Sequence, residues 1–224
     1  MKQYFEQLDK ILQKYEFEES FSLKENGQYT KWFTRKNQQS DLVETCLRFE
    51  YKRYTQVISI HVGWHHQQSH NFCVDALKVN WPEGFTWLEK IGFINWPCLL
   101  MHNLGGFLDF PLYGIDVKDR VLNSSHINVF IEKVLDSSDF MFIDTRALLT
   151  RYIQDNQPFS WQLPNSAIRI ALTAGLIKSL RADTRIFDEC ANTHIQLIQR
   201  DMFQMGDAAD WIKNLSSKMK QQGQ

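Results

Sequence analysis

Four histidines lie within ten residues of each other and are the side chains best suited to chemistry: His61, His65, His66 and His70. Neutral imidazole is a common zinc ligand, and a zinc site needs three or four ligands that converge on one point. The segment contains no H-E-x-x-H, no C-x-x-C lies nearby, and the next acidic residue is Asp75. We therefore interpret the cluster as the polar end of a strand and predict no bound metal. The alternative is a metal-dependent hydrolase that uses the residues from His61 to His70.

Other sequence patterns that indicate catalysis do not occur in the chain. Neither G-x-x-x-x-G-K-[ST] nor G-x-G-x-x-G, the glycine-rich loops that bind phosphates, is present. Gly105-Gly106 follows His102-Asn103-Leu104, an order that an oxyanion loop could use, but no G-x-S-x-G nucleophile elbow accompanies it. We predict a turn there, no catalytic residue and no cofactor.

The charge balance argues against a nucleic-acid partner. The 224 residues include 25 Lys and Arg against 26 Asp and Glu, a formal net charge of −1. Nucleic-acid binders usually carry a basic excess that neutralises phosphates. Aromatic residues make up 13% of the chain, and this ring area must lie in a core or at a binding surface.

Cysteine usage and hydropathy predict a cytoplasmic protein that does not enter a membrane. The cysteines are far apart and form no C-x-x-C pair, which is typical of reduced thiols in the cytosol. The first residues show no signal peptide. The longest apolar stretch, 93–101, is interrupted by Asn95 and Pro97 and is far shorter than the ~20 residues of a membrane span. The cysteines are Cys46, Cys73, Cys98 and Cys190.

The N-terminal third predicts a helix followed by an antiparallel sheet. Apolar residues from Tyr4 to Tyr15 recur with helical spacing. Asn26-Gly27 is a hairpin-turn signal, and later runs alternate apolar and polar residues with a period of two. Short polar turns between these runs predict a β-meander of three to four strands, with the helix on one face and solvent on the other. The runs are 29–36, 43–51 and 57–64.

The remaining chain divides into an irregular middle and a helical part. Glycine and proline are dense in residues 71–123, so we expect short helices and irregular turns there. In residues 124–220, capping residues and helical spacing predict a C-terminal bundle of four to five helices. Early strands and late helices indicate an α+β fold, with residues 1–70 forming the helix and meander of a single domain, 1–224. The predicted helix starts are Ser125, Asp144, Asn165 or Ser166, Asp183 and Asp207.

The polar segment Gln67-Gln68-Ser69 follows the third strand run, and we predict a loop there. Binding residues commonly lie on loops that a rigid scaffold holds. Histidines on either side of this loop are therefore candidate partner-binding residues: His65, His66 and His70. Trp81 and Trp87, in the irregular middle, are further candidates because they could form a groove; packing in the core is the alternative for both rings.

Four segments of the first hundred residues carry a family resemblance. They are Tyr15-Glu16-Phe17 at the end of the first helix, Trp32-Phe33-Thr34-Arg35-Lys36, Leu47-Arg48-Phe49, and Ile58-Ser59-Ile60-His61-Val62-Gly63-Trp64. In this order they resemble small bacterial domains of unknown function that begin with a helix and a β-meander. Some of these domains are similar to cytoplasmic immunity proteins encoded beside contact-dependent or polymorphic toxins.

The resemblance implies a binding function. An immunity protein binds a toxin domain stoichiometrically and blocks its active site, with affinity from buried aromatic anchors and complementary charge. We therefore predict an immunity protein whose partner is a toxin domain, and no enzyme activity. The alternative is an enzyme, the metal-dependent hydrolase of the histidine cluster.

Overall fold

A computed structural model of the chain describes most of its first 90 residues, with helices and short strands beyond them. The contacts cluster in two compact units. One comprises Met1–His65, Trp96–Asp144 and Ser160–Gln162; the other comprises His66–Asn95, Thr145–Phe159 and Leu163–Gln224. That the chain forms a single domain stays a prediction. The described residues are 2–25, 27–37, 42–53, 57–80, 82–90, 100–103, 115–116, 124–136, 144–154, 166–181, 185, 187–188, 191–192, 210, 213–215 and 217.

In the first unit, the predicted N-terminal helix is confirmed as α1, Lys2–Gln13. Its apolar stripe is buried, and Leu12 has no exposed surface, as an amphipathic helix on a core requires. Beyond the helix, Glu16 has a left-handed backbone with φ 62°. The Glu16 N–H donates to the Gln13 carbonyl and the Phe17 N–H to the Leu12 carbonyl, both at 3.1 Å. These two bonds form the Schellman motif that closes a helix.

In the part of the chain that the structure describes, six strands form one sheet, ordered β1–β2–β3–β4–β5, with β6 paired to β4. Four consecutive strands confirm the predicted antiparallel meander. Two short strands from later in the chain extend the sheet beside β4, which the sequence patterns did not predict. The strands are β1, Glu18–Glu25; β2, Gln28–Lys36; β3, Val43–Lys52; β4, Val57–His66; β5, Leu100–Asn103; and β6, Ile115–Asp116.

The hairpin turn between β1 and β2 is confirmed. Glu25 pairs with Gln28, so two residues connect the strands. Gly27 has φ 80°, a conformation that glycine adopts without the steric cost of a β-carbon.

Helix α1 covers one face of the sheet. The Phe5 ring meets the Tyr29 ring edge to face, with centroids 4.4 Å apart. The Lys31 ammonium lies 2.9 and 2.8 Å from the two carboxylate oxygens of Asp9 and 2.6 Å from Glu19 Oε2. The ion pair connects α1 to β1 and β2. Because Lys31 is only 6% exposed, its ammonium group is largely removed from water.

The other face is less solvated than expected. Trp32 and Cys46 on this face are each 1% exposed, and Phe21 and Leu23 pack against them. Phe21 lies directly opposite Trp32 across the β1–β2 pair, and the Arg48 guanidinium lies 5.1 Å from the Trp32 ring centroid. The prediction of a solvated face is wrong at these positions, because cross-strand ring and cation contacts shield the strand surface.

In the second unit, two helices occupy the first part of the segment in which we expected short helices and irregular turns. They are α2, Gln67–Asn80, and α3, Pro82–Lys90. Pro82 is the first residue of α3, where a helix tolerates proline because that N–H has no intrahelical partner. The proline therefore separates two helices and does not prevent them. The short helices expected in this segment are present over 71–80 and 82–90, and most of the remaining segment lies outside the described residues.

Three of the predicted later helices are present: α4, Ser124–Asp136, in the first unit, and α5, Thr145–Gln154, and α6, Ser166–Leu180, in the second. The helices predicted to begin at Asp183 and Asp207 lie largely outside the described residues, so the number of helices in the bundle stays a prediction. None of the helices that the structure describes is long and apolar enough to cross a membrane.

Helices α2 and α6 approach each other closely in the second unit. Residues 170–177 of α6 are all buried, as expected for a helix that is apolar on every side. A β-carbon on Gly175 would lie 2.8 Å from Ser69 Cα and 2.9 Å from the Ser69 carbonyl oxygen. Glycine at this position thus sets the spacing between the helices.

Candidate functional site

A polar cleft of about 500 Å³ lies in the first unit, where β2 ends and β3 begins. Four short stretches of chain line it: the turn after α1, the start of β1, the end of β2 with the following turn, and the start of β3. We call it the strand-end cleft. Its lining residues are Glu16, Glu18, Thr34, Arg35, Lys36, Asn37 and Glu44.

Strand pairing brings these residues together from distant positions in the sequence. Glu18 pairs with Thr34 across β1 and β2, and Lys36 pairs with Glu44 across β2 and β3. Directly opposed residues of antiparallel strands project on the same side of a sheet. The Asn37 N–H donates to the Val43 carbonyl at 3.0 Å, which joins the end of β2 to the start of β3. The charged groups therefore rest on a hydrogen-bonded frame.

The end of α1 supplies the outer wall of the strand-end cleft. The left-handed backbone of Glu16 turns the chain out of the helix, and its carboxylate then accepts a hydrogen bond from Arg35 Nη2 at 2.9 Å. The Arg35 side chain is 18% exposed, and that of Glu16 is 78% exposed. An ion pair with one partner in solvent contributes little to stability.

The carboxyl group of Glu44 responds to its burial and to charges of both signs in the cleft. Burial raises the pKa of the Glu44 carboxyl above its ordinary value; the nearby Lys36 opposes this effect, and the Glu18 carboxylate adds to it. Three carboxylates face two cations in the lining. Titratable groups with perturbed pKa values in a cleft are typical of functional sites. An incoming cation or hydrogen-bond donor would relieve the repulsion between Glu18 and Glu44.

This arrangement is suited to binding a charged or polar group from another molecule. Paired strands carry acidic and basic side chains around the cleft. Proteins commonly bind other molecules in such concave sites, with the binding groups held by a scaffold of regular structure. Acidic Glu18 and Glu44 favour a basic group, whereas Arg35 offers donors to an oxygen acceptor. The cleft can thus discriminate between partners by charge pattern.

The histidine cluster lies at the junction of β4 and α2, and its members are buried. His61, His65 and His66 belong to β4, His70 belongs to α2, and their exposures are 3%, 5%, 0% and 4%. Among the residues that the structure describes, no three His, Cys, Asp or Glu side chains are grouped so that they could hold a metal ion. The expectation of accessible histidines at a strand end is wrong.

The predicted loop at Gln67-Gln68-Ser69 is also wrong, because these residues form the first turn of α2. The Ser69 N–H donates to His66 Nδ1 at 3.2 Å, and Ser69 Oγ lies 2.8 Å from the same nitrogen. His66 immediately precedes α2, and its ring accepts the N–H of Ser69, the third residue of the helix. A residue that accepts such a bond at this position is an N-cap. The strand therefore passes into the helix without a loop.

The partner-binding role predicted for His65, His66, His70, Trp81 and Trp87 stays a prediction. The accessible loop on which the histidines' role depended is replaced by a buried junction. Trp81 lies outside the described residues. Trp87 lies in α3, and its side chain is outside the described part of the chain.

Two cysteines lie within the described residues, and both are buried: Cys46 in β3 and Cys73 in α2. Burial raises the pKa of the Cys73 thiol well above its ordinary value. A thiol that stays protonated is a poor nucleophile, so Cys73 packs as a small apolar group.

Sequence reasoning missed most of the strand-end cleft. The sequence patterns assigned no role to Glu16, Glu18, Arg35 or Glu44. One signal of the cleft was present in the sequence: Lys36 and Glu44 lie near the ends of two successive strand runs, on either side of the polar turn 37–41. Comparison of the chain with protein-family models, with curated proteins and with solved structures found no match.

Proposed function

We propose that the chain is a cytoplasmic binding protein that neutralises a bacterial toxin by binding it, and that the strand-end cleft contacts the toxin domain. The observation that carries the proposal is the cleft itself, in which the strand ends hold charged groups of both signs around about 500 Å³. The resemblance of the first hundred residues to immunity-type domains supports the same function.

The physical form of the cleft suits recognition of a protein. Complementary charge speeds association and rejects partners whose charges do not match. Glu18 and Glu44 face a common space, so a lysine or arginine of the toxin can contact both carboxylates and offset the repulsion between them. Little of the backbone needs to move when the groups lie on paired strands, so the toxin meets a largely preorganised surface.

Rescue of growth tests this function. The C-terminal domain of a toxin encoded beside this gene is expressed from an inducible promoter, with and without the chain. We expect growth to be restored by the wild-type chain and impaired with the double variant Glu18→Gln/Glu44→Gln. The double variant Glu89→Gln/Asp136→Asn removes two exposed carboxylates outside the cleft and should rescue as well as wild type. Growth arrest despite abundant wild-type chain contradicts the proposal.

A further inference from the structure

The backbone of Glu16 is unusual for its residue type. Its φ of 62° lies in the left-handed region, where the β-carbon of an L-residue crowds the backbone and glycine is strongly favoured. The Schellman motif needs this conformation and needs no side chain at this position. Strained backbone positions cluster at binding and active sites, but Arg181 has a similar φ of 50° after α6. The case for a role of the Glu16 side chain therefore rests on what that side chain contacts.

Among the described residues, the Glu16 side chain forms a hydrogen bond to Arg35, which lines the strand-end cleft. Its Oε2 accepts from Arg35 Nη2 at 2.9 Å, and both residues line the cleft. The carboxylate is 78% exposed, so the pair contributes little to folding. Arginine carries five N–H donors in a planar fork, and a carboxylate on one terminal nitrogen orients the remaining donors.

We infer that Glu16 is a positioning residue that holds the Arg35 guanidinium in the strand-end cleft, where Arg35 donates hydrogen bonds to an oxygen acceptor of the partner. The inference rests on the proposed function and deepens it, because it adds an acidic or carbonyl group to the basic group expected opposite Glu18 and Glu44. A stabilising replacement at Glu16 should therefore weaken binding.

Two glycine variants separate this role from a purely structural one. Glu16→Gly relieves the left-handed backbone and removes the Arg35 partner. Arg181→Gly is the matched control: Arg181 has φ 50° after α6, is exposed and lies outside the cleft. After allowance for the added freedom of glycine in the unfolded chain, each variant should raise Tm by about 1–3 °C. Glu16→Gln keeps the strained backbone and should leave Tm within about 1 °C of wild type.

Of the two glycine variants, only Glu16→Gly should affect Arg35 and binding. In nuclear magnetic resonance spectra, the Arg35 Nε–H signal should be well resolved in wild type and in Arg181→Gly, and broadened by motion in Glu16→Gly. In titration calorimetry with the toxin domain, Glu16→Gly should raise Kd about tenfold and Arg181→Gly should leave Kd unchanged. Arg35→Ala should raise Kd by at least tenfold, and adding Glu16→Gly to it should have no further effect, because the residue to be positioned is gone.

Each contrary outcome identifies what has failed. An unchanged Arg35 signal, or an unchanged Kd for Glu16→Gly, overturns the positioning role even if the toxin binds. A Tm that falls in Glu16→Gly overturns the argument from backbone strain. If the wild-type chain does not bind the toxin domain, the proposed function fails and the partner contact of Arg35 fails with it, whatever the Arg35 signal shows.

Discussion

Replacing Gly175 by Ala tests the close packing of α2 against α6. The new methyl group would lie 2.8 Å from Ser69 Cα and 2.9 Å from the Ser69 carbonyl oxygen, against about 3.5–4.0 Å for ordinary carbon contacts. Both neighbouring atoms belong to the backbone, so a side-chain rotation cannot make room. The helices must move apart by roughly 0.5–1 Å, which disturbs contacts along the whole interface.

The expected magnitude follows from two opposing terms. Overpacking by a methyl group costs about 1–3 kcal/mol, and alanine is favoured over glycine inside a helix by up to about 1 kcal/mol. The free energy of unfolding should therefore fall by about 1–2 kcal/mol, which lowers Tm by roughly 2–8 °C for a chain of this size. Differential scanning calorimetry and urea denaturation measure both quantities.

Two controls make the Gly175 prediction specific. Ser179→Ala, one turn later on α6, removes only the exposed hydrogen bond from Ser179 Oγ to Gln68 Oε1 and should change stability by less than about 0.5 kcal/mol. Ser69→Ala should not rescue Gly175→Ala, because the clash is with the Ser69 backbone. Stability equal to or above wild type in Gly175→Ala would refute the packing argument.

Three further predictions concern polar groups that folding buries. Lys31→Ala removes the cation that Asp9 and Glu19 share. Because both carboxylates are partly exposed, the free energy of unfolding measured by urea denaturation should fall by about 1–3 kcal/mol. An unchanged free energy of unfolding would contradict this. His66→Ala removes the N-cap acceptor of α2 and should cost at least about 1 kcal/mol, more than His66→Asn, which keeps an acceptor; equal losses would argue against capping. Burial raises the pKa of Glu44, so the folded chain binds this proton more tightly than the unfolded chain does. The resulting stabilisation is present below the ordinary pKa of the carboxyl and is lost as pH rises through the folded-state pKa. Scanning calorimetry should therefore show a higher Tm for Glu44→Gln than for wild type at pH 7 and a smaller difference near pH 4; a constant difference would count against the shift.

The elements that could be predicted from the sequence are those with a strong period. Helix α1 follows the helical spacing of its apolar residues, and strands β2, β3 and β4 lie where runs with a period of two predict strands. The junction at His66 could not be predicted this way. The common N-cap residues are Ser, Thr, Asp and Asn, and here a buried imidazole takes their place.

The strand-end cleft depends on strand register, which a single sequence does not specify. The β1–β2 pairing shifts between Glu19 and Phe21, so these two residues face opposite sides of the sheet although they are two positions apart. An uninterrupted alternation would have placed them on the same side. Glu18 and Glu44 reach the same cleft only through this register and the pairing of β2 with β3.

The central claim is that the strand-end cleft binds a toxin domain. Titration calorimetry of the purified chain with the C-terminal domain of the neighbouring toxin tests it most directly. We predict one-to-one binding, and a Kd at least about tenfold higher for Glu18→Gln/Glu44→Gln, a loss of about 1.4 kcal/mol. Glu89→Gln/Asp136→Asn, with the same change in net charge outside the cleft, should bind as wild type does. No binding by wild type, or an unchanged Kd in the cleft variant, would contradict the claim.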